Sequence, residues 1–478
     1  MKKFLALLLA LLMALSIASC ANTPEPAQSE APSQADASST GDASEPEQTG
    51  KKELTGTFEV ALFSAKEATD TYWNELLDAF QAEYPDLEIK RIISPVIGDE
   101  IRPRWVDNTP PDLTYLQGAS ASDLSQLIDE KRFEPIDTFY ETATVWGTED
   151  LIKDKVVIES SQYDVDGKPI GFPVETGTYG FFYNQKLADE LGITEMPKNY
   201  EEFIALGERF LTEFKDTGIA YIAYPGKNAL GYLTNQWMQP LLCEQDPDGF
   251  LDAFGMKPGA WSSDWVKDCY KKILALRKYE MEGCIGLTHT EAQIAWLQGD
   301  AFLMPNGTWL EGEMLADTPD DFEMKMFAYP TMESEHDNIS YVYVDSNMLI
   351  PKDAKNKDAA YEFIRFMYQD EWQQRYAELA KTNPGTKVSL EGVETSPMVA
   401  SVADMISDPN SKIAQPKVGG YPVFRTEPKN WYKQNEMSMW LGEISVDEFF
   451  DTFEQKCEED RQAEDFQELE NYWIVSPE

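Results

Sequence analysis

Cysteine and histidine, which carry much of the nucleophilic and metal-binding chemistry of proteins, are scarce in this sequence. The chain of 478 residues contains five cysteines and two histidines, and the histidines, His289 and His336, lie far apart. The internal cysteines show no Cys-x-x-Cys spacing, and they are Cys243, Cys269, Cys284 and Cys457. The sequence therefore argues against a zinc site and predicts no metal or cofactor. It leaves open whether the first three internal cysteines include one disulfide or are buried free thiols.

Carboxylates are abundant, with 85 Asp and Glu against 40 Lys and Arg. Two carboxylates about 5 to 10 Å apart can hydrolyse a glycosidic bond, and neighbours such as Asp320-Asp321 or Glu458-Glu459 are candidates. In so acidic a chain such pairs occur by chance. The sequence contains no G-x-S-x-G, H-E-x-x-H or G-x-x-x-x-G-K-[ST] motif. No catalytic residue is predicted, and an exported glycoside hydrolase remains the alternative to a binding protein.

The fifth cysteine, Cys20, follows the apolar run "FLALLLALLMALSIA", which Lys2 and Lys3 precede. This pattern is typical of a secretory signal peptide, and residues 4–19 are too few for a membrane-spanning helix of about 20 residues. The segment "IASC" resembles the lipobox of bacterial lipoproteins, in which cleavage before the cysteine leaves lipid on its sulfur. We expect residues 1–19 to be a signal peptide and Cys20 to anchor the protein outside the cell membrane. An ordinary signal peptide is the alternative.

The segment that follows predicts a tether. Residues 21–50 contain six acidic residues and no aromatic, Lys or Arg residue, so residues 20–52 are predicted to be disordered because they cannot bury enough apolar surface. The formal net charge is −45 for the whole chain. A chain this acidic is not expected to bind nucleic acid, and its charge weakly disfavours a highly anionic ligand.

Strands and helices alternate after residue 53, which is typical of an α/β fold. Residues 57–64 have strand alternation, a helix with Trp73 and Phe80 on one face ends before Pro85, and a second strand follows. A third short strand is predicted at Leu113–Leu116, with a helix after it. Such β-α-β units predict a parallel sheet with right-handed crossovers and ligand sites at the carboxyl ends of its strands.

Further elements are predicted in the second half of the chain. Asn199 caps a helix whose apolar stripe is Phe203, Leu206, Phe210 and Leu211. The strand "AFLM" is expected to end in a tight loop at Asn306-Gly307. Helices are predicted near residues 262–281 and 290–299, in one long stretch after the "IPKD" turn, and at 428–441 and 445–457 on either side of Gly442.

Four segments together resemble the extracellular solute-binding proteins of ABC importers, in the sugar-binding group that includes the maltose-binding protein. They are "GFPVETGTYGFFYN", "WLQGDAFLMPNGTWL", "SNMLIPKDAKNKDAAYEFIRFM" and "NWYKQNEMSMWLGEISVDEFF". No single segment is specific, whereas their order and spacing cover nearly all of residues 54–460. The chain departs from the maltose-binding protein in a longer first lobe before "FPVE" and an extra segment around residues 383–425.

The resemblance implies an α/β, two-lobed periplasmic-binding-protein-like fold with hinge crossovers. The expected first lobe is residues 53–175 with 346–415, and the second is residues 176–345 with 416–478. Closure of the hinge would trap a carbohydrate, a mono- or oligosaccharide, and permease subunits of an ABC importer in the membrane would receive it. The resemblance implies a monomer with no cofactor. An adhesive surface protein is a third hypothesis, but the sequence has no repeats to favour it.

The candidate ligand-binding residues lie on five parts of the chain. Trp309, with Asn306 and Gly307 before it, is expected to provide an aromatic plate for the C–H face of a sugar ring. Glu175, Thr176 and Tyr179 are expected where the chain crosses the cleft, and Gln117 at the end of a strand. Trp237 is expected on a helix, and Trp431 and Tyr432 match an aromatic pair that the family places before its final helices. Core packing is the alternative for the tryptophans, and a solvated hinge or surface loop for the others. Trp73 and Trp105 are assigned to packing or surface.

Overall fold

Helices and strands alternate along most of the chain. The computed structural model describes residues 52–64, 67–117, 123–157, 167–234, 236–237, 249, 252–253, 256–331, 339–340, 342–407, 412–416, 426–463 and 473–475. In chain order the strands are β1 (Gly56–Phe63), β2 (Leu87–Ser94), β3 (Leu113–Tyr115), β4 (Gly171–Asn184), β5 (Ala220–Ile222), β6 (Ala301–Gly307), β7 (Met324–Ala328), β8 (Ile339–Ser340), β9 (Val342–Leu349), β10 (Asn383–Pro384), β11 (Lys412–Pro416) and β12 (Trp473–Val475).

The α-helices lie between these strands and after the last strand of the main sheet. They are α1 (Glu67–Glu83), α2 (Ile97–Val106), α3 (Leu124–Asp129), α4 (Asp137–Thr142), α5 (Ile152–Lys155), α6 (Gln185–Glu190), α7 (Tyr200–Thr212), α8 (Asp264–Leu274), α9 (His289–Leu297), α10 (Leu310–Met314), α11 (Lys357–Met367), α12 (Asp370–Ala380), α13 (Pro397–Ser407), α14 (Thr426–Leu441) and α15 (Val446–Arg461). The predicted signal peptide, Cys20 and most of the predicted tether lie outside the described residues.

One mixed sheet runs through the structure in the order β2-β1-β3-β9-β4-β6-β5. The β1–β2, β1–β3 and β5–β6 pairs are parallel, as the β-α-β pattern predicts. The pairs that involve β9 and the pair β4–β6 are antiparallel. The parallel arrangement that the β-α-β pattern predicts is therefore present at β1, β2 and β3, whereas the central strands β4 and β9 pair with each other in the antiparallel direction.

The crossing strand β4 belongs to two groups of strands. Its first half, Gly171–Thr178, pairs with β9, and its second half, Tyr179–Asn184, pairs with β6 and β7. The short strand β10 also pairs with β4, at Thr176 and Glu175. The backbone thus crosses at the midpoint of β4, which gives the two-lobed fold its hinge crossovers.

Separate apolar cores flank this crossing. The first core contains Phe58, Trp73 and Phe363, and the second core contains Phe181 and Phe450. Helix α13 packs through Met398, Val399 and Val402 with residues of β4, β6 and β7, so it contacts the second group of strands ahead of the boundary expected at residue 415. The residue limits of the lobes remain a prediction.

Local signals explain several helix ends. The Asn199 side chain accepts a hydrogen bond from the backbone N–H of Glu202 and caps α7. The predicted α7 stripe is buried at Phe203, Leu206 and Phe210, whereas Leu211 is 44% exposed, because it lies on the outer edge of the stripe. The long helix expected after residue 350 is two helices, α11 and α12, which end and begin on either side of Tyr368 and Gln369.

The described cysteines are buried free thiols. These are Cys269, Cys284 and Cys457, and burial raises the pKa of the Cys284 thiol to about 12. Cys243 lies outside the described residues. Within the described ranges, no group of three metal-ligating side chains occurs. No described helix has the length and apolar composition needed to cross a bilayer.

A buried ion pair within α11 is hydrogen-bonded to other segments around the first core. Arg365 donates to the Glu362 carboxylate at 2.8 Å and to the backbone oxygen of Thr144 at 2.7 Å. Glu362 also accepts from the Tyr84 hydroxyl at 2.6 Å, and that hydroxyl accepts from the Trp146 indole N–H at 3.0 Å. Both charged side chains are at most 5% exposed. Each charge is therefore compensated inside the protein rather than by water.

We expect Arg365→Met to lower the free energy of unfolding by about 3–5 kcal/mol, because it leaves the Glu362 carboxylate buried without its partner. Urea unfolding of the protein checks this value. The control is Arg209→Ala, which removes an exposed ion pair to Glu213 and should cost less than about 1 kcal/mol. Equal losses in the two variants would contradict the prediction.

Candidate ligand-binding cavity

A cavity of about 380 Å³ lies where the two groups of strands meet, within the size range of small-molecule sites. One side carries residues from β1, β3 and α12, and the other carries residues from the start of α9, from the turn directly after β6 and from α10. The lining residues are Phe63, Ser64, Thr69, Tyr115, Gln117, Glu175, Thr176, Tyr232, His289, Thr308, Trp309, Glu313, Tyr376, Ala380 and Thr382.

Glu175 is the central polar group on the first side. One carboxylate oxygen accepts from the Gln117 amide at 2.5 Å, and the other accepts from the Tyr376 hydroxyl at 2.8 Å. The Ser346 hydroxyl lies 3.4 Å from the first oxygen. Glu175 is 8% exposed, and donors from three different segments hold its carboxylate in one orientation.

The backbone at Glu175 is irregular. The register between β4 and β9 shifts on both sides of this residue, and such bulges change the direction of a side chain relative to its neighbours. Thr176, the next residue, is fully buried and donates its hydroxyl hydrogen to the backbone oxygen of Pro384 at 3.0 Å. The crossing point therefore presents a carboxylate to the cavity and ties the next residue to β10.

Tyr376 supports the carboxylate as a neutral donor. Burial, together with the negative charge of Glu175, raises the pKa of the Tyr376 hydroxyl far above its usual value. The hydroxyl is consequently protonated at neutral pH and can donate to the carboxylate. Its ring also packs against Tyr72, with centroids 4.9 Å apart.

Aromatic side chains form the opposite side. The Trp309 ring lies edge-on to Tyr179, with centroids 5.4 Å apart, and 5.7 Å from Tyr232. A Cβ atom at Gly307 would lie 2.2 Å from the Trp309 ring. Glycine at this position is therefore what allows the indole to lie against the backbone of β6.

The expected loop at Asn306-Gly307 is wrong. Both residues belong to β6, where Gly307 pairs with Tyr179 and Asn306 with Gly180. The apolar run of the strand ends at Met304, but backbone pairing with β4 continues the strand for three more residues. The buried Asn306 side chain uses its oxygen to accept the N–H of Gly307 at 2.8 Å.

A polar cluster joins Asn306 to the start of α9. The Asn306 amide nitrogen lies 3.1 Å from His289 Nε2, and the Gln293 amide nitrogen lies 2.9 Å from the same ring atom. Gln293 also donates to Glu313 at 2.9 Å. The cluster connects two cavity-lining residues, His289 and Glu313, through amide groups.

The structure brings only some of the predicted ligand-binding residues together. Gln117, Glu175, Thr176 and Trp309 line the cavity. Asn306, Gly307 and Tyr179 lie directly behind that wall, in contact with His289 or Trp309. Whether any of them contacts a ligand remains a prediction.

Three predicted residues pack in or against the apolar core instead. Trp237 is fully buried and donates its indole N–H to the backbone oxygen of Pro330 at 2.9 Å. Trp431 and Tyr432 pack against α15, with ring centroids 5.0 Å from Phe449 in both cases. None of the three is among the residues that line this cavity, because their rings pack against neighbouring helices and strands. A role for them in ligand binding stays a prediction.

Other lining residues were missed. Phe63 is the last residue of β1 and Ser64 directly follows it. Tyr115 is the last residue of β3, and Tyr376 lies on α12. The rule that ligands bind at the carboxyl ends of parallel strands selected Gln117, and the same rule applied to β1 would have found Ser64. Tyr376 offered no such signal, because its place depends on the packing of α12 against α1.

Comparisons with known proteins agree with this architecture. The sequence model of the bacterial extracellular solute-binding proteins matches residues 64–374. A diacetylchitobiose-binding protein of Streptomyces coelicolor is 26% identical over 357 residues, which are 72% of this chain and 73% of that protein. A multiple sugar-binding protein of Streptococcus mutans is 22% identical over 337 residues, 70% of this chain and 76% of that protein.

Solved structures share the fold. A chitin-oligosaccharide-binding protein superposes with a TM-score of 0.65 at 19% identity, over 85% of this chain and 98% of that chain. The apo form of RafE from Streptococcus pneumoniae superposes with a TM-score of 0.62 at 19% identity, over 85% of this chain and 99% of that chain.

The fold and the cavity at its crossing define a two-lobed solute receptor. The chain belongs to the bacterial extracellular solute-binding protein family. The family consists of binding proteins, so the interpretation as a binding protein rather than a hydrolase is confirmed.

We expect Gly307→Ala to displace the Trp309 indole, because the added Cβ would overlap the ring, and to cost about 1–3 kcal/mol of stability. Near-UV circular dichroism reports the change in the ring's surroundings, and urea unfolding reports the stability. Gly286→Ala is the control, since a Cβ there meets nothing within 4 Å. An unchanged near-UV spectrum in Gly307→Ala would contradict the expected displacement.

Proposed function

We propose that this protein captures a carbohydrate in the cavity between its lobes and delivers it to an ABC-type importer. The observation that carries the proposal is the pairing of an aromatic wall with a fixed carboxylate and amide across one cavity. Trp309 and Tyr232 line one side, and Glu175 with Gln117 line the other. A sugar ring has an apolar C–H face and a rim of hydroxyl groups, and these two walls match the two kinds of surface.

The relatives support the same class of ligand. Two of them are named for binding diacetylchitobiose and multiple sugars. At 26% and 22% identity they support a carbohydrate without selecting one. We therefore propose a neutral mono- or oligosaccharide and no more specific ligand.

Capture would proceed by closure of the hinge. The ligand stabilises the closed form only to the extent that it contacts both lobes better there than in the open form. Glu175 and Trp309 are the groups that would make such contacts from either side. The closed monomer is then the form that the permease subunits in the membrane would distinguish from the open one.

We also propose that a lipid on Cys20 holds the protein at the outer face of the cell membrane. The lipobox-like "IASC" after an apolar segment supports this step. Residues 21–50 would then act as a flexible tether with a reach on the order of 30 Å. The binding lobes could approach a permease in the same membrane without leaving the surface.

We expect Trp309→Ala to weaken sugar binding by about 10- to 100-fold, because it removes the aromatic surface that a sugar ring would cover. Isothermal titration calorimetry with N,N′-diacetylchitobiose, raffinose, maltose and galactose would first identify a binding sugar and then compare the variants. Trp309→Phe keeps an aromatic ring and should lose less than Trp309→Ala.

Trp265→Phe is the matched control, since this residue packs against the second core and does not line the cavity. It should bind as the unmodified protein does. Binding of the sugar with unchanged affinity by Trp309→Ala would contradict the assignment of the aromatic wall. Binding of an amino acid or peptide, with no response to any sugar, would contradict the carbohydrate proposal and leave the transport role standing.

Lipid anchoring predicts that Cys20→Ser moves the protein from the membrane fraction to the medium and abolishes incorporation of labelled palmitate. The thiol of Cys20 is the proposed attachment point, so a hydroxyl cannot replace it in thioether formation. Cys243→Ser is the control and should leave the protein in the membrane fraction. Release of both proteins into the medium, without label in either, would favour an ordinary signal peptide.

A further inference from the structure

A second cavity lies close to the ligand-binding cavity and shares the lining residue Thr176 with it. Its volume is about 490 Å³, which is within the size range of small-molecule sites. Besides Thr176 on β4, its lining consists of Val157 after α5, most of the stretch 383–390 and Ala403 on α13. We call the space between these residues the rear cavity.

The paired strands β4 and β10 separate the two cavities. Thr382, directly before β10, lines the ligand-binding cavity and not the rear one, whereas Asn383 lines the rear cavity and not the ligand-binding one. Asn383 is also the residue of β10 that pairs with Thr176. A molecule in the rear cavity would therefore occupy a site of its own, next to the crossing strands.

Asn383 has an unpaired polar group. The residue is 4% exposed, and no atom of the described residues accepts a hydrogen bond from its side-chain amide nitrogen. Buried polar groups almost always have a hydrogen-bond partner, because leaving a donor unpaired in the interior is destabilising. Since Asn383 lines the rear cavity, a molecule placed there can bring an acceptor to this nitrogen.

A neighbouring buried amide shows the usual arrangement. Gln373 on α12 is 2% exposed. Its amide nitrogen donates to the backbone oxygen of Met367 at 2.8 Å, and its amide oxygen accepts from the Thr386 hydroxyl at 2.8 Å. Both polar atoms of Gln373 are thus satisfied inside the protein. The unpaired nitrogen of Asn383 is therefore specific to its position at the rear cavity.

The other polar side chains of the rear cavity do not need a ligand. The hydroxyl groups of Thr176 and Thr386 donate to oxygens of the protein, at 3.0 and 2.8 Å. Lys387 and Ser389 are exposed, so water reaches them. The remaining lining residues are apolar, and they are Val157, Pro384, Val388, Leu390 and Ala403. Among the described lining residues, an apolar wall is thus combined with one buried donor that lacks an acceptor.

We propose that the rear cavity is a second binding site, which takes a small uncharged molecule with an apolar body and one acceptor oxygen. The Asn383 amide donates to that oxygen, and the apolar residues cover the body. Ketones and esters have this chemistry. A sugar does not fit the site, because most of its hydroxyl groups would lose water without gaining partners. The site goes beyond the proposed function, and neither depends on the other.

The binding experiment uses acetophenone and α-methylstyrene, which have nearly the same shape but carry C=O and C=CH₂ at the same place. Methyl NMR spectra of the protein with ¹³C-labelled alanine and leucine should show that acetophenone shifts the signals of Ala403 and Leu390. In Asn383→Leu, the Kd of α-methylstyrene divided by that of acetophenone should fall about three- to tenfold, because the donor to the carbonyl oxygen is gone. Comparing this ratio between proteins removes the difference in hydrophobicity of the two probes.

Two variants locate the probe. Ala403→Leu fills the rear cavity and should abolish the acetophenone shifts at Leu390, and Leu390→Phe is a second filling variant that should abolish those at Ala403. Trp309→Ala alters the ligand-binding cavity and should leave the acetophenone shifts at both residues unchanged. The proposal is overturned if acetophenone causes no shift up to its solubility limit, which is the result for a cavity that holds only water. An unchanged ratio in Asn383→Leu, or loss of the shifts in Trp309→Ala, overturns it as well.

A second measurement needs no probe. Asn383→Leu removes an unpaired buried donor, so the urea midpoint of unfolding should stay equal to that of the unmodified protein or rise. Gln373→Leu is the matched control, because it removes a buried amide with two partners and should lower the midpoint. Equal losses in the two variants would mean that the Asn383 amide is already satisfied inside the protein, and would overturn the proposal. Far-UV circular dichroism confirms that each variant is folded.

Discussion

The continuity of β4 through both halves of the sheet is the constraint on which the rest of the structure depends. A strand that pairs with β9 in its first half and with β6 and β7 in its second cannot let the lobes separate. Relative motion must therefore be absorbed by a few backbone angles near the crossing. The register shifts around Glu175 place the irregular backbone at that crossing, where the ladder of hydrogen bonds is already interrupted.

The polar groups at the crossing meet two requirements. Buried carboxylates and hydroxyls must be hydrogen-bonded, because burying them without partners is costly. A hinge must also remain free to move. Glu175 meets both requirements. Its recorded partners are Gln117 just after β3, Ser346 on β9 and Tyr376 on α12, and all three lie on one side of the cavity. Its contacts do not have to break when the opposite wall moves.

Much of the fold could be predicted from the sequence, because local signals determine it. The alternation of residues 57–64, the Asn199 cap and the break at Gly442 each act within a few residues, and the structure has β1, the start of α7 and the gap between α14 and α15 at those places. The errors arose where tertiary pairing decides. Backbone pairing with β4 extends β6 through Gly307, although the residue types Asn306 and Gly307 are typical of a turn.

The candidate site shows the same division. Gln117 and Glu175 could be found from strand ends and from the crossing segment, whereas Tyr376 and His289 reach the cavity on helices whose positions depend on packing. Trp237 and Trp431 show the converse limit: an aromatic residue type suits a sugar plate and a core equally well. Residue type alone could not distinguish Trp309 from Trp237 and Trp431. Gly307, two residues before Trp309, leaves room for its indole, and neither of the other two tryptophans has a glycine at that position.

Both walls of the cavity are attached to the same strand, and this attachment explains how a small backbone change could control binding. Glu175 and Tyr179, which contacts Trp309, are four residues apart on β4, a span of roughly 13 Å in extended backbone. Between them lies the point at which β4 changes partners. A rotation there moves the carboxylate wall and the aromatic wall relative to each other without altering either internally. A ligand that contacts both walls therefore interacts with the hinge angle itself, and one that contacts a single wall, however tightly, does not shift the hinge.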